Sequence, residues 1–263
     1  MRRGAGHVLS GPAPGRLSPP GRLRTRERST IPGPGRTDRP DIPHGSHVVT
    51  DNGARANEEH ITVGEPEVRI CVVGDELSAG VGDAKGLGWA GRVVARTRFP
   101  GTAMVFPLAI PGETTTAMSQ RWDAETSRRF DHDPEADNRL VLALGRHDLD
   151  AGLSVARSRL NLANVLDVAE HRRLPTFVVG PPPGRTEDND RVAELSAAFA
   201  DVANRRRVPY VDTFTPLVTH EQWLADLATS GGGYPGQAGY GLMAWLVLHT
   251  GWHAWLGLPD DVA

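Results

Sequence analysis

Five short apolar runs, separated by segments long enough to hold a helix, constrain the fold of this chain most strongly. The first run, Val68–Gly74, is rich in β-branched residues and ends in Gly-Asp, as is typical of a buried parallel strand that leads into a loop. Similar runs follow at Ala103–Leu108, Arg139–Leu144, Thr176–Gly180 and Pro209–Asp212. The clearest helical patterns lie at Trp89–Arg98, Ser154–Arg172, Asp190–Arg206 and Gly239–Leu248. This alternation predicts an α/β fold built from βαβ units, with one parallel sheet and helices on both of its faces.

The segment before the first run has a different composition. Repeated Pro and Gly, as in residues 11–15 and 31–35, prevent any periodic apolar pattern, so this segment cannot bury a core. We therefore expect residues 1–65 to form a disordered tail rich in Pro, Gly and Arg, and residues 66–258 to form a single folded domain.

Charge and composition narrow the possible partners. Residues 1–60 contain 10 Arg and 6 acidic residues, whereas the remainder contains 19 basic and 26 acidic residues. A mildly acidic body argues against nucleic-acid binding, and the basic tail has no aromatic residue on which a base can stack. No apolar stretch approaches the roughly 18 residues of a spanning helix, and the start does not resemble a signal peptide. With Cys71 as the only cysteine, a cytoplasmic location is expected.

Several common cofactor, metal and catalytic motifs are either absent from the sequence or wrongly placed in it. The run Gly86–Gly91 matches the G-x-G-x-x-G pattern, but it begins a dozen residues after its strand, too late to place a helix N-terminus under a pyrophosphate. The patterns of α/β-hydrolase elbows, zincins and P-loops do not occur, and the histidines show no metal-ligand spacing. We therefore predict neither a cofactor nor a metal.

Four loops that follow the predicted strands carry a resemblance. They contain Gly74-Asp75-Glu76-Leu77, Pro111-Gly112-Glu113, Gly145-Arg146-His147-Asp148 and Gly231-Gly232-Gly233-Tyr234-Pro235. In this order and spacing they resemble the four signatures of the SGNH (GDSL-type) esterases and lipases, over about Val68 to Leu256. The resemblance implies a three-layer, flavodoxin-like α/β sandwich with a central five-stranded parallel sheet, and ester hydrolysis as the family activity.

The residues that such hydrolysis needs are replaced. Family members use a serine nucleophile, an asparagine in the oxyanion hole, and an aspartate and histidine as base. The corresponding positions here are occupied by Glu76, His147, Gly231 and Tyr234, and only the oxyanion glycine, Gly112, is kept. We therefore do not expect this chain to act as an ordinary serine esterase.

Glu76, His147 and Tyr234 are expected to point into one cleft, and two interpretations of this set remain open, beside a weak residual esterase activity. In the first, Glu76 fills the old oxyanion hole by accepting hydrogen bonds from Gly112 and His147, which makes the domain a pseudoenzyme or a module that binds a small molecule. In the second, the cleft is an acid–base site in which Glu76 is the base or nucleophile, for an isomerase, cyclase, lyase or non-serine hydrolase. A plugged cleft favours the first and an open pocket the second.

Neighbouring residues have simpler interpretations. Arg146 either binds an anionic substrate or pairs with a nearby acid. Asp75 and Asp148 are expected to accept hydrogen bonds from loop N–H groups, and Ser78 to be an ordinary loop hydroxyl. Trp223 is expected to be a packing residue rather than a substrate platform.

Overall fold

The computed structural model describes residues 68–184, 186–230 and 233–259. Its centre is a five-stranded sheet in which all pairs of neighbouring strands are parallel, with the order β2-β1-β3-β4-β5. The strands are β1 (Val68–Gly74), β2 (Ala103–Ala109), β3 (Asp137–Ala143), β4 (Thr176–Val179) and β5 (Tyr210–Val211). All five strands were predicted from the sequence, and the α/β class is confirmed.

Helices fill the connections between the strands. They are α1 (Gly88–Arg96), α2 (Thr115–Ser127), α3 (His147–Asp150), α4 (Val155–His171), α5 (Asn189–Arg205), α6 (Phe214–Leu217), α7 (Glu221–Thr229), α8 (Gln237–Val247) and α9 (His253–Leu256). A short 3-10 turn precedes α5, and a π-helical segment joins α8 to α9.

The sheet divides the apolar core in two, as the alternation of side chains along a strand requires. From β1, Ile70 and Val72 pack in the layer that contains α1 and α8. Cys71 and Val73 face the other layer, which α2, α4 and α5 cover. The result is the expected three-layer sandwich.

Helix α2 is the longest element that the sequence patterns did not single out. Its residues are mostly polar, and its buried positions are Thr115, Met118, Trp122 and Thr126. These positions have helical spacing, but only two of them are strongly apolar, so the pattern is weak.

The proposed tail of residues 1–65 lies outside the described residues, so the domain boundary stays a prediction. Within the part of the chain that the structure describes, no helix is both long and apolar enough to cross a membrane.

Candidate functional site

The strand order reverses between β1 and β3, and the candidate site lies where these two strands end. In open parallel sheets this switch point leaves a crevice at the carboxyl ends of the strands. Asp75 and Glu76 directly follow β1, and His147 begins α3 just after β3. The fold therefore brings Glu76 and His147 together although 71 positions separate them in the chain.

Both carboxylate oxygens of Glu76 accept hydrogen bonds. Oε2 lies 2.8 Å from the backbone nitrogen of Gly112, and Oε1 lies 2.9 Å from Nε2 of His147. Gly112 has a φ of 74°, a left-handed conformation that favours glycine, and it turns its N–H toward the end of β1. These are the two hydrogen bonds expected for a Glu76 that fills the pocket next to Gly112.

The electrostatics of this contact favour a charged pair. Burial alone raises the pKa of Glu76, but the hydrogen bonds from His147 and Gly112 outweigh burial and lower the pKa to about 2. The hydrogen bond to Glu76, followed by the nearby charges of Asp75 and Asp150, raises the pKa of His147. Because an ionised carboxylate can only accept, Nε2 of His147 donates the proton in the hydrogen bond to Glu76.

Asp75 adds a second buried carboxyl group. Its Oδ1 accepts from the N–H of Leu77 at 3.0 Å, which confirms the predicted turn within the loop. Burial, and then the charge of Glu76, raise its pKa to about 7. Its Oδ2 packs so closely on Gly145 that a Cβ at that position would lie 1.8 Å away, so glycine is required there.

Two buried acids hold the loop after β2 in place. Glu113 pairs with Arg121, whose Nη2 also donates to the carbonyl oxygen of Leu108 at 2.7 Å. Asp148 accepts at 2.7 Å from both the N–H and the hydroxyl of Thr115, as expected for an acid that satisfies a loop N–H. The backbone at Gly112 is therefore fixed from two sides.

The fourth loop departs from the expected arrangement. Tyr234 is 37% exposed and packs against Gly82; it does not line the cavity beside Glu76. The expectation that Tyr234 points into the same cleft is therefore wrong. Its loop is held from outside the cleft, because the carboxylate of Asp226 accepts from the N–H groups of Gly236 and Gly239. Gly231, the residue expected in place of an aspartate, lies outside the described residues.

Little open volume remains at the site. A cavity of about 40 Å³, enough for a few water molecules, is bounded by charged side chains and an apolar wall. Its lining includes Asp75, Glu76, Arg146, His147, Pro182, Pro183, Trp223 and Leu227. Arg146 is 3.9 Å from Asp188, a loose ion pair. Trp223 is almost completely buried and donates its indole N–H to Pro183, so it is the packing residue expected from the sequence, although it also borders the cavity.

Ser78 takes no part in this arrangement. Its hydroxyl is buried, does not line the cavity, and lacks a hydrogen-bond partner among the described residues. It lies in the turn after β1, where a Cβ at Gly74 would come within 2.5 Å of its oxygen. Its expected role as a loop residue agrees with this placement.

A larger cavity, of about 520 Å³, lies near the amino end of β3, at the opposite end of the sheet from Glu76. It is bordered by Asp131, which pairs with Arg69 at 2.9 Å, and by Arg172, which pairs with Asp123. Asp131 and Arg172 are therefore each already paired with another charged side chain. None of the candidate site residues described above lines this cavity. The cavity between Glu76 and Trp223 is therefore the better candidate site.

Comparison with known proteins decides the family. The model of the GDSL-like lipase/acylhydrolase family matches residues 72–242, a range that includes all four of the loops compared in the sequence. The chain belongs to this family. A comparison with curated proteins gives no match.

Solved structures of a lipase/acylhydrolase and of two esterases show the same fold. A lipase/acylhydrolase from Enterococcus faecalis is 20% identical, with a TM-score of 0.58 over 74% of this chain and 100% of that one. The esterase EstA from Pseudoalteromonas sp. is 18% identical, with a TM-score of 0.55 over 72% of this chain and 98% of that one. AlinE4, an SGNH-hydrolase family esterase, is 25% identical, with a TM-score of 0.51 over 74% of this chain and 98% of that one.

Sequence reasoning located Glu76, Gly112 and His147 but assigned Asp75 to the loop alone. The structure places Oδ2 of Asp75 3.6 Å from Nε2 of His147, which makes it a second acid at the site. Its position directly before Glu76 was the available signal. Asp226 was also missed, because nothing in its local sequence indicates that it binds the backbone of a loop ten residues later.

Proposed function

We propose that this member of the SGNH family binds a small molecule and does not hydrolyse esters through a serine. The position of Glu76 carries the proposal. Its carboxylate accepts from the N–H of Gly112 and from His147, the two groups that face the place where an ester oxyanion would have to be stabilised. A permanent negative charge there opposes the development of a second one.

The surrounding residues support the same conclusion. An active serine needs a base within hydrogen-bond reach, but the buried hydroxyl of Ser78 has no hydrogen-bond partner among the described residues. Nε2 of His147 donates its proton to the Glu76 carboxylate, so this nitrogen is not free to accept a proton from a serine. The cleft keeps a cavity of about 40 Å³ that is lined by charged groups and by Trp223 and Leu227, so it has room for only a very small polar ligand or part of one.

Labelling with a fluorophosphonate tests the proposal, since this probe reacts with activated serines regardless of the natural substrate. The full chain is treated beside a Ser78→Ala variant and a known serine esterase, and adducts are detected by intact mass spectrometry. We expect no stoichiometric adduct on the wild-type chain. An adduct that disappears in Ser78→Ala would overturn the proposal, because it would show that an activated serine is present.

A repurposed acid–base enzyme is the second candidate, and Asp75 rather than Glu76 supports it. A carboxyl group with a pKa of about 2 is a weak base, whereas the raised pKa of Asp75, about 7, is suited to proton transfer near neutral pH. Asp75 also lines the cavity. Under this alternative, any turnover found in a substrate screen must disappear in Asp75→Asn and must titrate near neutral pH.

A further inference from the structure

Three donor atoms from different side chains converge at the edge of the cavity. They are a carboxylate oxygen each from Asp75 and Glu76 and a ring nitrogen of His147, and all lie within 4.8 Å of one another. Nε2 of His147 is 2.9 Å from Oε1 of Glu76 and 3.6 Å from Oδ2 of Asp75.

These distances are compatible with a shared metal ion. With metal–ligand bonds of about 2.1 Å, two ligand atoms lie about 3.0 Å apart at an angle of about 90° and about 3.6 Å apart at about 120°. The two distances from Nε2 match these values. The donors also come from the ends of two strands in the centre of the sheet, so the scaffold holds them in place.

Asp75 supplies an independent observation. Its side chain is only 5% exposed, and while Oδ1 accepts from Leu77, Oδ2 lies too far from His147 for a hydrogen bond. At 3.6 Å, both Oδ2 and Nε2 can bind a cation that lies to one side of the line between them, at the angle of about 120° given above. Glu76 makes the shorter of the two contacts with His147, so two adjacent carboxylates share one imidazole, and a bound cation adds positive charge between them.

We propose that Asp75, Glu76 and His147 bind one divalent transition-metal ion, of the class of Zn²⁺ or Co²⁺, at the edge of this cavity. The inference rests on the proposed function as a binding site and names the chemical class of its ligand. The ion takes the place of the proton between His147 and Glu76, and that proton passes to solvent. Oε2 of Glu76 keeps its hydrogen bond from Gly112, which orients the carboxylate.

The donor set selects among metals. An imidazole nitrogen favours Zn²⁺, Co²⁺ and their neighbours over Mg²⁺ and Ca²⁺, which prefer oxygen ligands in greater number. Three protein ligands leave positions for water or for an anionic group of a small molecule, and the adjoining cavity has room for them.

Calorimetric titration of the full chain with Zn²⁺ tests the site. His147→Gln and Asp75→Asn are compared with wild type and with His171→Gln, which removes an exposed imidazole at the end of α4. We expect one tight site per chain that is weakened at least about 100-fold by His147→Gln and at least about tenfold by Asp75→Asn, but not by His171→Gln. The visible absorption of bound Co²⁺ should be lost in His147→Gln in the same way.

The proposal is overturned if wild type and His147→Gln bind Zn²⁺ equally, or if wild type has no site beyond those that both variants retain. Circular dichroism checks that each variant is folded. If His147→Gln does not fold, Asp75→Asn, which keeps the shape of the side chain, provides the test instead. If the chain neither binds Zn²⁺ nor is labelled by the fluorophosphonate, the metal proposal is refuted but the proposed function is not. Labelling of a serine removes the proposed function whatever the metal result.

Discussion

Replacing Glu76 with glutamine removes a charge from the site and keeps an oxygen that can accept from Gly112. The pKa of Glu76 falls from 4.5 in the unfolded chain to about 2 in the folded protein. At about 1.4 kcal/mol for each tenfold change, this corresponds to about 3 kcal/mol of stability from the charged form. Relief of the repulsion between Glu76 and Asp75 offsets part of it, so we expect Glu76→Gln to lower the free energy of unfolding by about 2 kcal/mol.

The dependence on pH has a definite sign. Because the folded pKa of Glu76 is depressed, its contribution is complete above the unfolded value of 4.5 and is lost as the pH falls toward 2. The difference between wild type and Glu76→Gln should therefore shrink by more than half from about pH 6 to about pH 3.

Thermal unfolding measures this difference, with chelator present to keep metal ions from the site. For a domain of this size, about 2 kcal/mol corresponds to a Tm lower by about 4–8 °C. Glu194→Gln, at an exposed position on α5, is the matched control and should leave Tm unchanged. A Tm for Glu76→Gln within about 1 °C of wild type near neutral pH, or an equal loss at both pH values, would refute the reasoning.

Three other variants test the supporting contacts. Asp75→Asn with chelator should raise the free energy of unfolding by about 2–4 kcal/mol at about pH 8, because the raised pKa of Asp75 means that its charged form destabilises the fold above the unfolded pKa. Urea unfolding should show no such gain at about pH 4, and a lower free energy of unfolding at pH 8 would contradict this explanation. Gly112→Ala should lower the free energy of unfolding by about 1–2 kcal/mol, because Gly112 has a left-handed φ of 74°. Equal urea midpoints for this variant and the wild type would show that the turn tolerates a side chain. Asp148→Asn should lower the free energy of unfolding by about 1–3 kcal/mol, because it weakens both hydrogen bonds to Thr115. Amide hydrogen exchange should become faster at the start of α2 than in α5, and an equal increase in both helices would argue against a local role.

The fold was predictable because its elements have strong local patterns. Strand β1 is rich in β-branched residues, and helices such as α5 carry an apolar stripe. Helix α2 has few apolar residues, so it becomes evident only through its packing. The ends of the strands also located Glu76 and His147 correctly, because parallel strands bring their carboxyl ends to one edge of a sheet.

The orientation of individual side chains was less predictable. Tyr234 was expected to point into the cleft, yet its side chain packs beside Gly82 and is 37% exposed. The sequence predicted that Asp75 stabilises the turn after β1, but not that it lies close to His147. That contact depends on how tightly the loops after β1 and β3 pack at Gly145. Such contacts follow from tertiary packing and leave no local trace in the sequence.

Hydrolysis of p-nitrophenyl acetate by the full chain with chelator, beside its Ser78→Ala and Glu76→Ser variants, tests whether this protein hydrolyses esters through a serine. We expect no rate above buffer for wild type, because a carboxylate fills the pocket and the Ser78 hydroxyl has no hydrogen-bond partner among the described residues. Any rate in Glu76→Ser would come from the new serine beside His147 and would not apply to the wild type. Saturable turnover by wild type that Ser78→Ala abolishes would contradict the account.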